Sequence, residues 1–161
     1  LFAYVCDPLT RSDRLGLRAD CAPPGVELTA INRNNARRLL RSRGLTKKQA
    51  GDIVNSFEGQ IHVSKGKVGD VFVITESRPG AASGVFVTRD FAGNTPSDRV
   101  RRLALPPSNT AESEALVELT RPQLLLEGKV APQPGWGADR TGGAWQAVTD
   151  GGKYTGAVSR L

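Results

Sequence analysis

A glycine-rich stretch near the C-terminal end, residues 128–146, constrains the fold of this chain more than any other segment. It reads GKVAPQPGWGADRTGGAWQ and holds five glycines, two prolines and both tryptophans of the sequence. Such a segment is too irregular for a helix and too rich in glycine for a regular strand, so it predicts a shaped loop. Glycines let a backbone approach a ligand, and tryptophans offer flat apolar walls. The stretch therefore suits either a site for a nucleotide-like ligand or a surface loop pinned to the core by its tryptophans.

The composition limits the fold class and the possible partners. The 161 residues are 39% hydrophobic, which is enough for one core of ordinary size. The 18 glycines and 10 prolines favour short strands and turns over a helical bundle. A formal net charge of +6 suits nucleic acid, an anionic membrane or a phosphate-bearing small molecule, and does not choose among them. No apolar run approaches the roughly 20 residues that a membrane span requires, so we predict no membrane segment.

Two cysteines and one histidine restrict the chemistry. Cys6, Cys21 and His62 are too few for a Cys/His zinc site within this chain, so we predict no metal. Any Ser-His-Asp triad would have to use His62. This histidine lies in an alternating stretch, which indicates a strand residue rather than a catalyst. Cys6 and Cys21 fit either a disulfide or two free thiols.

Helical signals follow a proline-rich linker in the N-terminal part. We expect Asn32 or Asn34 to cap a first helix that ends near Gly44, and Thr46 to cap a second one. The second helix carries a buried stripe at spacing i, i+3, i+4, i+7, formed by Ala50, Ile53, Val54 and Phe57. A cluster of arginines is interpreted as a solvated helix face. It consists of Arg33, Arg37, Arg38, Arg41 and Arg43.

From residue 69 onwards the pattern changes to that of strands. Runs rich in β-branched and apolar residues occupy 71–75, 84–89, 115–120, 124–128 and 145–149. The first two predict a hairpin-like pair. We therefore predict an α+β fold with short N-terminal helices followed by a compact, mostly antiparallel β-sheet domain.

The first seventeen residues, LFAYVCDPLTRSDRLGL, resemble the end of an Rhs-repeat core. The strand FAYV precedes a DPL turn and a closing motif at 13–17, in which Arg14 stands where that family has proline. In the family the core cuts itself at this motif and releases a variable C-terminal toxin. The resemblance implies an Rhs-type core end at 1–17, a linker at 18–26 and a toxin domain at 27–161, helical over 27–59 and mainly β over 60–161. Because the chain begins at Leu1, we expect it to be a fragment of a longer polypeptide.

A second resemblance covers about residues 71–149. An arginine in a glycine-containing loop, the runs GVFVT, LALPP and EGKVAP, and a glycine-rich loop closing on glutamine occur in the order typical of the tuberculosis necrotizing toxin family of NAD glycohydrolases. The resemblance implies that NAD is bound as substrate and that its bond to nicotinamide is hydrolysed. Gln146 matches the family's catalytic glutamine. Arg78 matches its arginine near the phosphates, and Arg89 is a competitor for that role.

Aromatic side chains offer further contacts to NAD. Phe86, Trp136 and Trp145 are candidate walls for the nicotinamide or adenine ring, or alternatively core residues. Thr88 and Gly143 are further candidate cofactor contacts. The family also has a histidine after its ALP segment, and residues 108–116 contain none. Candidates to take its place are Asn109, Glu112 and Glu114.

The two resemblances together imply a secreted effector of competition between bacteria, which acts in the cytoplasm of the target cell. Its expected partners are the Rhs core or shell of the parent polypeptide and a cognate immunity protein that plugs the cleft around residues 128–146, with no membrane partner. One alternative is a mono-ADP-ribosyltransferase toxin, which would orient the ribose with Glu76, Glu112 or Glu127. Another is an RNase toxin that uses the basic charge and His62; nucleic acid is a partner only under these alternatives.

Overall fold

Eight strands and three α-helices form the part of the chain that the computed structural model describes, residues 22–150 and 156–161. The predictions for residues 1–17, for Cys6 and Cys21 and for the first part of the linker lie outside these residues. The helices are α1 (Arg33–Ser42), α2 (Lys47–Asn55) and α3 (Pro96–Leu103). The strands are β1 (Thr29–Ile31), β2 (Phe57–Gly66), β3 (Val71–Glu76), β4 (Phe86–Val87), β5 (Ser113–Leu119), β6 (Gln123–Val130), β7 (Trp145–Val148) and β8 (Val158–Arg160).

The first two helices begin where their capping residues predict. The side chain of Asn32 accepts a hydrogen bond from the backbone N–H of Asn35, and Thr46 forms a reciprocal capping box with Gln49. Both caps satisfy backbone donors that the first turn of a helix leaves free. The predictions of two short helices, one capped at Asn32 and one at Thr46, are confirmed.

The interpretation of the arginine cluster as a solvated helix face is wrong for two of its members. The guanidinium of Arg33 donates to the backbone carbonyls of Val54 at 2.9 Å and Gly59 at 3.0 Å. Arg43 donates to the carbonyl of Leu124 at 2.8 Å. An arginine has five N–H donors on a long stem, so it can satisfy the carbonyls of a turn or strand end that has no backbone partner.

Helix α3 and strand β1 are not predicted by the sequence analysis. Thr95 caps α3, Pro96 occupies its first turn, and Asp98 lies near its positive end. These capping signals are present in the sequence, but only Val100 and Leu103 could form an apolar stripe, which is too short to show helix periodicity. The helix is held instead by the buried Arg102, whose guanidinium donates to the carbonyl of Ala92 at 2.5 Å.

The strands form two antiparallel sheets. One has five strands in the order β1-β2-β6-β7-β4, and the other has three in the order β3-β5-β8. A single bridge between Val73 and Thr88 connects the edge strands β3 and β4. The predicted α+β fold with mostly antiparallel sheets is therefore confirmed. The predicted hairpin-like pair of 71–75 with 84–89 is present only as that antiparallel bridge, because the main partner of β3 is β5 and that of β4 is β7.

The five-stranded sheet separates two apolar cores. On one side, which we call the helix face, Leu126 and Val148 pack with Val54 of α2. On the other side, the inner face, Leu125 and Ala147 pack against the three-stranded sheet. Successive residues of a strand point to opposite faces, so this division fixes which side chains of β6 and β7 can meet.

The glycine-rich stretch is a loop over 131–144, while its two ends belong to β6 and β7. Backbone hydrogen bonds hold this loop against the end of α3. Gly142 N–H donates to the carbonyl of Arg101 at 2.9 Å, and Ala144 N–H donates to that of Arg102 at 3.2 Å. A short 3-10 turn, Pro134–Trp136, lies earlier in the loop. The loop is thus a bonded structural element between two adjacent strands.

Candidate functional site

A row of polar side chains crosses the inner face of the five-stranded sheet. His62 of β2 is the register partner of Glu127 of β6, which in turn faces Ala147 of β7. Trp145 lies two residues before Ala147 and therefore on the same face. Arg89 reaches the row from the residues that follow β4. We call Arg89, Glu127, Trp145, His62 and Ser64 the Arg89 cluster.

Glu127 is the centre of this cluster. Its carboxylate is completely buried and accepts from Arg89 Nε at Oε1 and from Arg89 Nη2 at Oε2, both at 2.8 Å. The indole Nε1 of Trp145 donates to Oε1 at 3.1 Å. A buried carboxylate is tolerated only when hydrogen bonds and an opposite charge replace water, and these three donors do so.

Arg89 is fixed by its surroundings but is not fully enclosed. Its guanidinium carbon lies 4.8 Å from the centre of the Phe72 ring, and Nη2 is 3.5 Å from Ser64 Oγ. The side chain is 22% exposed. Within the described residues, Nη1 makes no hydrogen bond, while Nε and Nη2 are occupied by Glu127. The arginine therefore has one donor nitrogen free in a fixed direction.

An open groove of about 520 Å³ adjoins the cluster. Arg89 and Ser64 form part of its wall, together with the segment that leads into β1, the end of β2 and the start of β3. Its size suits a small organic ligand. The groove carries both signs of charge, from Lys65, Lys67, Glu27 and Asp70 in addition to Arg89.

His62 contributes an aromatic contact to the cluster. Its ring centre lies 5.8 Å from that of Trp145, with the planes tilted by 31°. Its position in β2 confirms the prediction of a strand residue. Its neighbours Glu127 and Trp145 cannot be found from the local sequence pattern, because they lie on two other strands.

Gln146 points away from the Arg89 cluster. It is adjacent to Trp145 in β7 and therefore lies on the helix face. Its Nε2 donates to the carbonyl and to the hydroxyl of Ser56, at 3.0 and 3.1 Å, at the end of α2. The side chain is buried, 6% exposed. The structure thus does not bring the predicted catalytic glutamine together with Arg89, and the role of Gln146 stays a prediction.

The other predicted site residues are dispersed. Arg78 is exposed in the loop after β3, and Trp136 is 43% exposed on the 3-10 turn. Phe86 is 45% exposed and pairs with Val148, which places it on the helix face. Thr88 is buried, and its hydroxyl donates to the carbonyl of Asp90 at 2.6 Å. Gly143 has φ of 101° and donates to the carbonyl of Val130. Their roles toward a ligand stay predictions.

The structure distinguishes the three glutamates considered for a transferase. Glu112 is exposed, and Glu76 is buried with Arg160 Nη2 2.6 Å from its Oε2. Burial alone would raise the pKa of Glu76, but the hydrogen bonds from Arg160 and from the Ala82 amide outweigh it and hold that pKa below its ordinary value. Of the three, Glu127 is the one in the Arg89 cluster.

The candidates to replace the family's histidine take part in structural contacts. Glu114 forms an ion pair with Arg99 at 2.8 Å and accepts from the backbone N–H of Ala92. Asn109 Nδ2 donates to the carbonyl of Thr75 at 3.0 Å. These bonds hold the segment around α3 on the three-stranded sheet.

In the described part of the chain, no group of three or more His, Cys, Asp or Glu side chains is arranged to hold a metal ion, and no helix is long and apolar enough to cross a membrane.

Two solved structures of protein complexes contain a chain with a similar fold. The structure of Tse6 in complex with Tsi6 matches with a TM-score of 0.59 at 20% identity, covering 80% of this chain and 93% of that one. The structure of Tne2 in complex with Tni2 matches with a TM-score of 0.52 at 19% identity, covering 65% of this chain and 91% of that one. Rhs1-CT in complex with its cognate immunity protein RhsI1 has a TM-score of 0.48, too low to argue a shared fold. No family model and no curated protein matches the sequence.

Proposed function

We propose that this chain is a toxin domain that binds NAD in the groove beside Arg89 and hydrolyses the bond between nicotinamide and ribose. The observation that carries the proposal is the fixed guanidinium of Arg89, with a free donor nitrogen at the wall of a groove of about 520 Å³. The fold shared with Tse6 and Tne2 supports it, as does the order of sequence landmarks over residues 71–149.

The reaction requires little covalent chemistry from the protein. The glycosidic C–N bond breaks with its electron pair going to the pyridinium nitrogen, so nicotinamide leaves as a neutral molecule. Water adds to the ribose carbon and loses a proton, which gives ADP-ribose. The transition state resembles an oxocarbenium ion, so orientation of the dinucleotide and nearby negative charge favour it.

Within this proposal, Arg89 binds the pyrophosphate through Nη1. A guanidinium suits this role because it stays charged and forms charge-assisted hydrogen bonds with phosphate oxygens. The carboxylate of Glu127 holds the guanidinium in this position through two hydrogen bonds. Lys65 and Lys67 add positive charge along the groove and attract an anionic ligand.

The test is nicotinamide release from NAD by the full 161-residue chain, followed by chromatography. Arg89→Lys keeps the charge but not the planar fork, and we expect it to lower kcat/KM about 10- to 100-fold. The control is Arg38→Ala on the exposed side of α1, which should leave the rate unchanged. Arg78→Ala and Gln146→Ala test the two catalytic residues that the family resemblance implies. Absence of nicotinamide release by the unaltered chain would refute the proposal.

A second candidate is transfer of ADP-ribose to a macromolecule. It is favoured by one observation, the presence of Glu127 beside Arg89 in a cluster next to the groove. The same assay distinguishes it, because a transferase would release nicotinamide fully only when cell lysate supplies an acceptor that becomes labelled with ADP-ribose. Degraded tRNA with unchanged NAD would instead support the RNase alternative.

The two structural neighbours were each solved with a second protein, Tse6 with Tsi6 and Tne2 with Tni2. We propose that this toxin likewise has a cognate immunity protein, and that an Rhs-type parent polypeptide carries it as a secreted effector into the cytoplasm of a target cell.

A further inference from the structure

We propose that Glu127 is a positioning residue for the ligand-binding arginine. It acts through Arg89 and does not itself contact the ligand. The inference rests on the proposed function, because it assigns a role within the same groove. It starts from the complete burial of Glu127 and from its three hydrogen bonds.

Packing alone does not explain a charged residue at this place. Glu127 follows three leucines on a central strand, and an apolar side chain of similar volume would fill the space without the desolvation of two charges. Replacement of a buried ion pair by apolar groups is often neutral or stabilising. The charge at Glu127 is therefore better explained by what it does to Arg89 than by its contribution to stability.

Arg89 needs such a support because the bridge between Thr88 and Val73 fixes the backbone before it but does not fix its long side chain, which has many rotamers. Arg89 follows β4, which is only two residues long and lies at the edge of the sheet. The two parallel hydrogen bonds from Nε and Nη2 to Glu127 fix the plane of the guanidinium, and the Phe72 ring lies 4.8 Å from its carbon. A fork held in this way directs Nη1 in one direction and loses less conformational entropy when an anion binds.

Trp145 completes the arrangement from the neighbouring strand. Its indole N–H donates to Oε1 of Glu127, the same oxygen that Arg89 Nε contacts. Glu127 thus orients an arginine and an aromatic ring through one carboxylate. Both groups lie on the inner face, and Arg89 also forms part of the groove wall.

The experiment is a double-mutant cycle on NAD hydrolysis by the full chain, with Glu127→Gln, Arg89→Lys and the double variant. Glutamine keeps the size of the side chain but can accept from only one of the two guanidinium nitrogens. We expect Glu127→Gln to raise KM about tenfold, with kcat within about twofold, because a pyrophosphate contact serves ground and transition states alike. In the Arg89→Lys background the same substitution should change KM less than about twofold.

Asp150→Asn is the matched control. Asp150 is also a part-buried carboxylate that pairs with an arginine, Arg121, at 2.8 Å, and neither residue lines the groove. The substitution should lower the melting temperature while leaving KM of the folded protein unchanged. An equal KM shift in Asp150→Asn and Glu127→Gln would show that the KM effect follows from lost stability, and it would overturn the inference.

Two further outcomes contradict the inference on its own. An unchanged KM in Glu127→Gln, with a raised KM in Arg89→Lys, would show that Arg89 needs no support. An equal effect of Glu127→Gln in both backgrounds would show that Glu127 acts independently of Arg89. If the unaltered chain does not hydrolyse NAD, the same cycle is measured as Kd for ADP-ribose and inorganic pyrophosphate by calorimetry. A coupled loss of affinity there would uphold the inference without the hydrolase, and absence of binding would overturn both.

Discussion

Three glycines of the 131–144 loop differ in their backbone φ and in the space around them, so alanine substitutions at these positions test the structure quantitatively. Gly142 has φ of 71°, and a Cβ added there would lie 2.5 Å from the carbonyl oxygen of Val130 and 2.9 Å from the carbonyl carbon of Ala131. Gly143 has φ of 101°, but a Cβ there would have no heavy atom within 4 Å. Gly135 has neither a left-handed φ nor a close neighbour. Alanine at the three positions therefore separates backbone strain from steric overlap.

The expected losses of unfolding free energy follow from these differences. A left-handed backbone costs alanine about 1–3 kcal/mol, which is the whole effect expected at Gly143. At Gly142, overlap of the new Cβ with backbone atoms adds about 1–3 kcal/mol. Movement of the loop to relieve this overlap would also break the hydrogen bond from Gly142 N–H to the Arg101 carbonyl, which contributes about 1 kcal/mol. Gly142→Ala should therefore lose about 3–7 kcal/mol, whereas Gly135→Ala should stay within about 0.5 kcal/mol of the unaltered chain or be slightly more stable.

The assay is thermal and urea unfolding of the three variants, followed by circular dichroism. Each kcal/mol lowers the melting temperature of a chain of this size by about 2–4 °C, so a loss of 4 kcal/mol at Gly142 corresponds to about 8–16 °C. The order expected is Gly142→Ala, then Gly143→Ala, then Gly135→Ala. Equal losses for Gly142→Ala and Gly143→Ala would refute the close approach of Gly142 to the end of β6.

Two other predictions concern arginines that bind distant parts of the chain. Arg33→Ala should lose about 2–3 kcal/mol in urea unfolding, because its guanidinium satisfies backbone carbonyls in the last turn of α2 and in β2. Arg38→Ala on the same helix should lose less than about 0.5 kcal/mol, and similar losses for the two variants would contradict this role of Arg33. Arg160→Ala should lower the melting temperature most at neutral pH, where the lowered pKa of Glu76 contributes stability. That contribution is lost as the pH falls through the folded-state pKa of Glu76. The difference in melting temperature between Arg160→Ala and the unaltered chain should therefore shrink below about pH 4. A constant difference from pH 7 to pH 3 would contradict the pairing of Arg160 with Glu76.

The sequence predicts elements well where the determining interactions are local. Asn32 and Thr46 are identified as caps because their partners lie three residues away in the chain. Helix α3 shows the limit of this reasoning. Its capping signals are present, but the contacts that hold it connect Arg102 with Ala92 and Glu114 with Arg99, none of which forms a periodic apolar pattern.

The candidate site is harder to predict because it is assembled across strands. Arg89 and Glu127 are separated by 38 residues, and their pairing depends on the strand order β2-β6-β7-β4. One signal was available, since Glu127 is a charged residue that ends a run of three leucines. A charge in a strand otherwise suited to burial indicates a partner, but the sequence does not identify which cation provides it.

Strand alternation in β7 separates Gln146 from the groove beside Arg89. Trp145 and Gln146 are adjacent in β7, so their side chains lie on opposite faces of the sheet, one beside Glu127 and the other beside Ser56. A ligand bound in the groove next to Arg89 therefore cannot reach the Gln146 amide through the sheet. If Gln146→Ala abolishes nicotinamide release without loss of stability, the reacting part of the ligand must lie on the helix face, and Arg89→Lys then decides whether the ligand also extends to Arg89 around the groove wall formed by Val63 and Leu124. If Gln146→Ala only lowers stability, its amide serves to join β7 to the end of α2, and the chemistry belongs to the inner face.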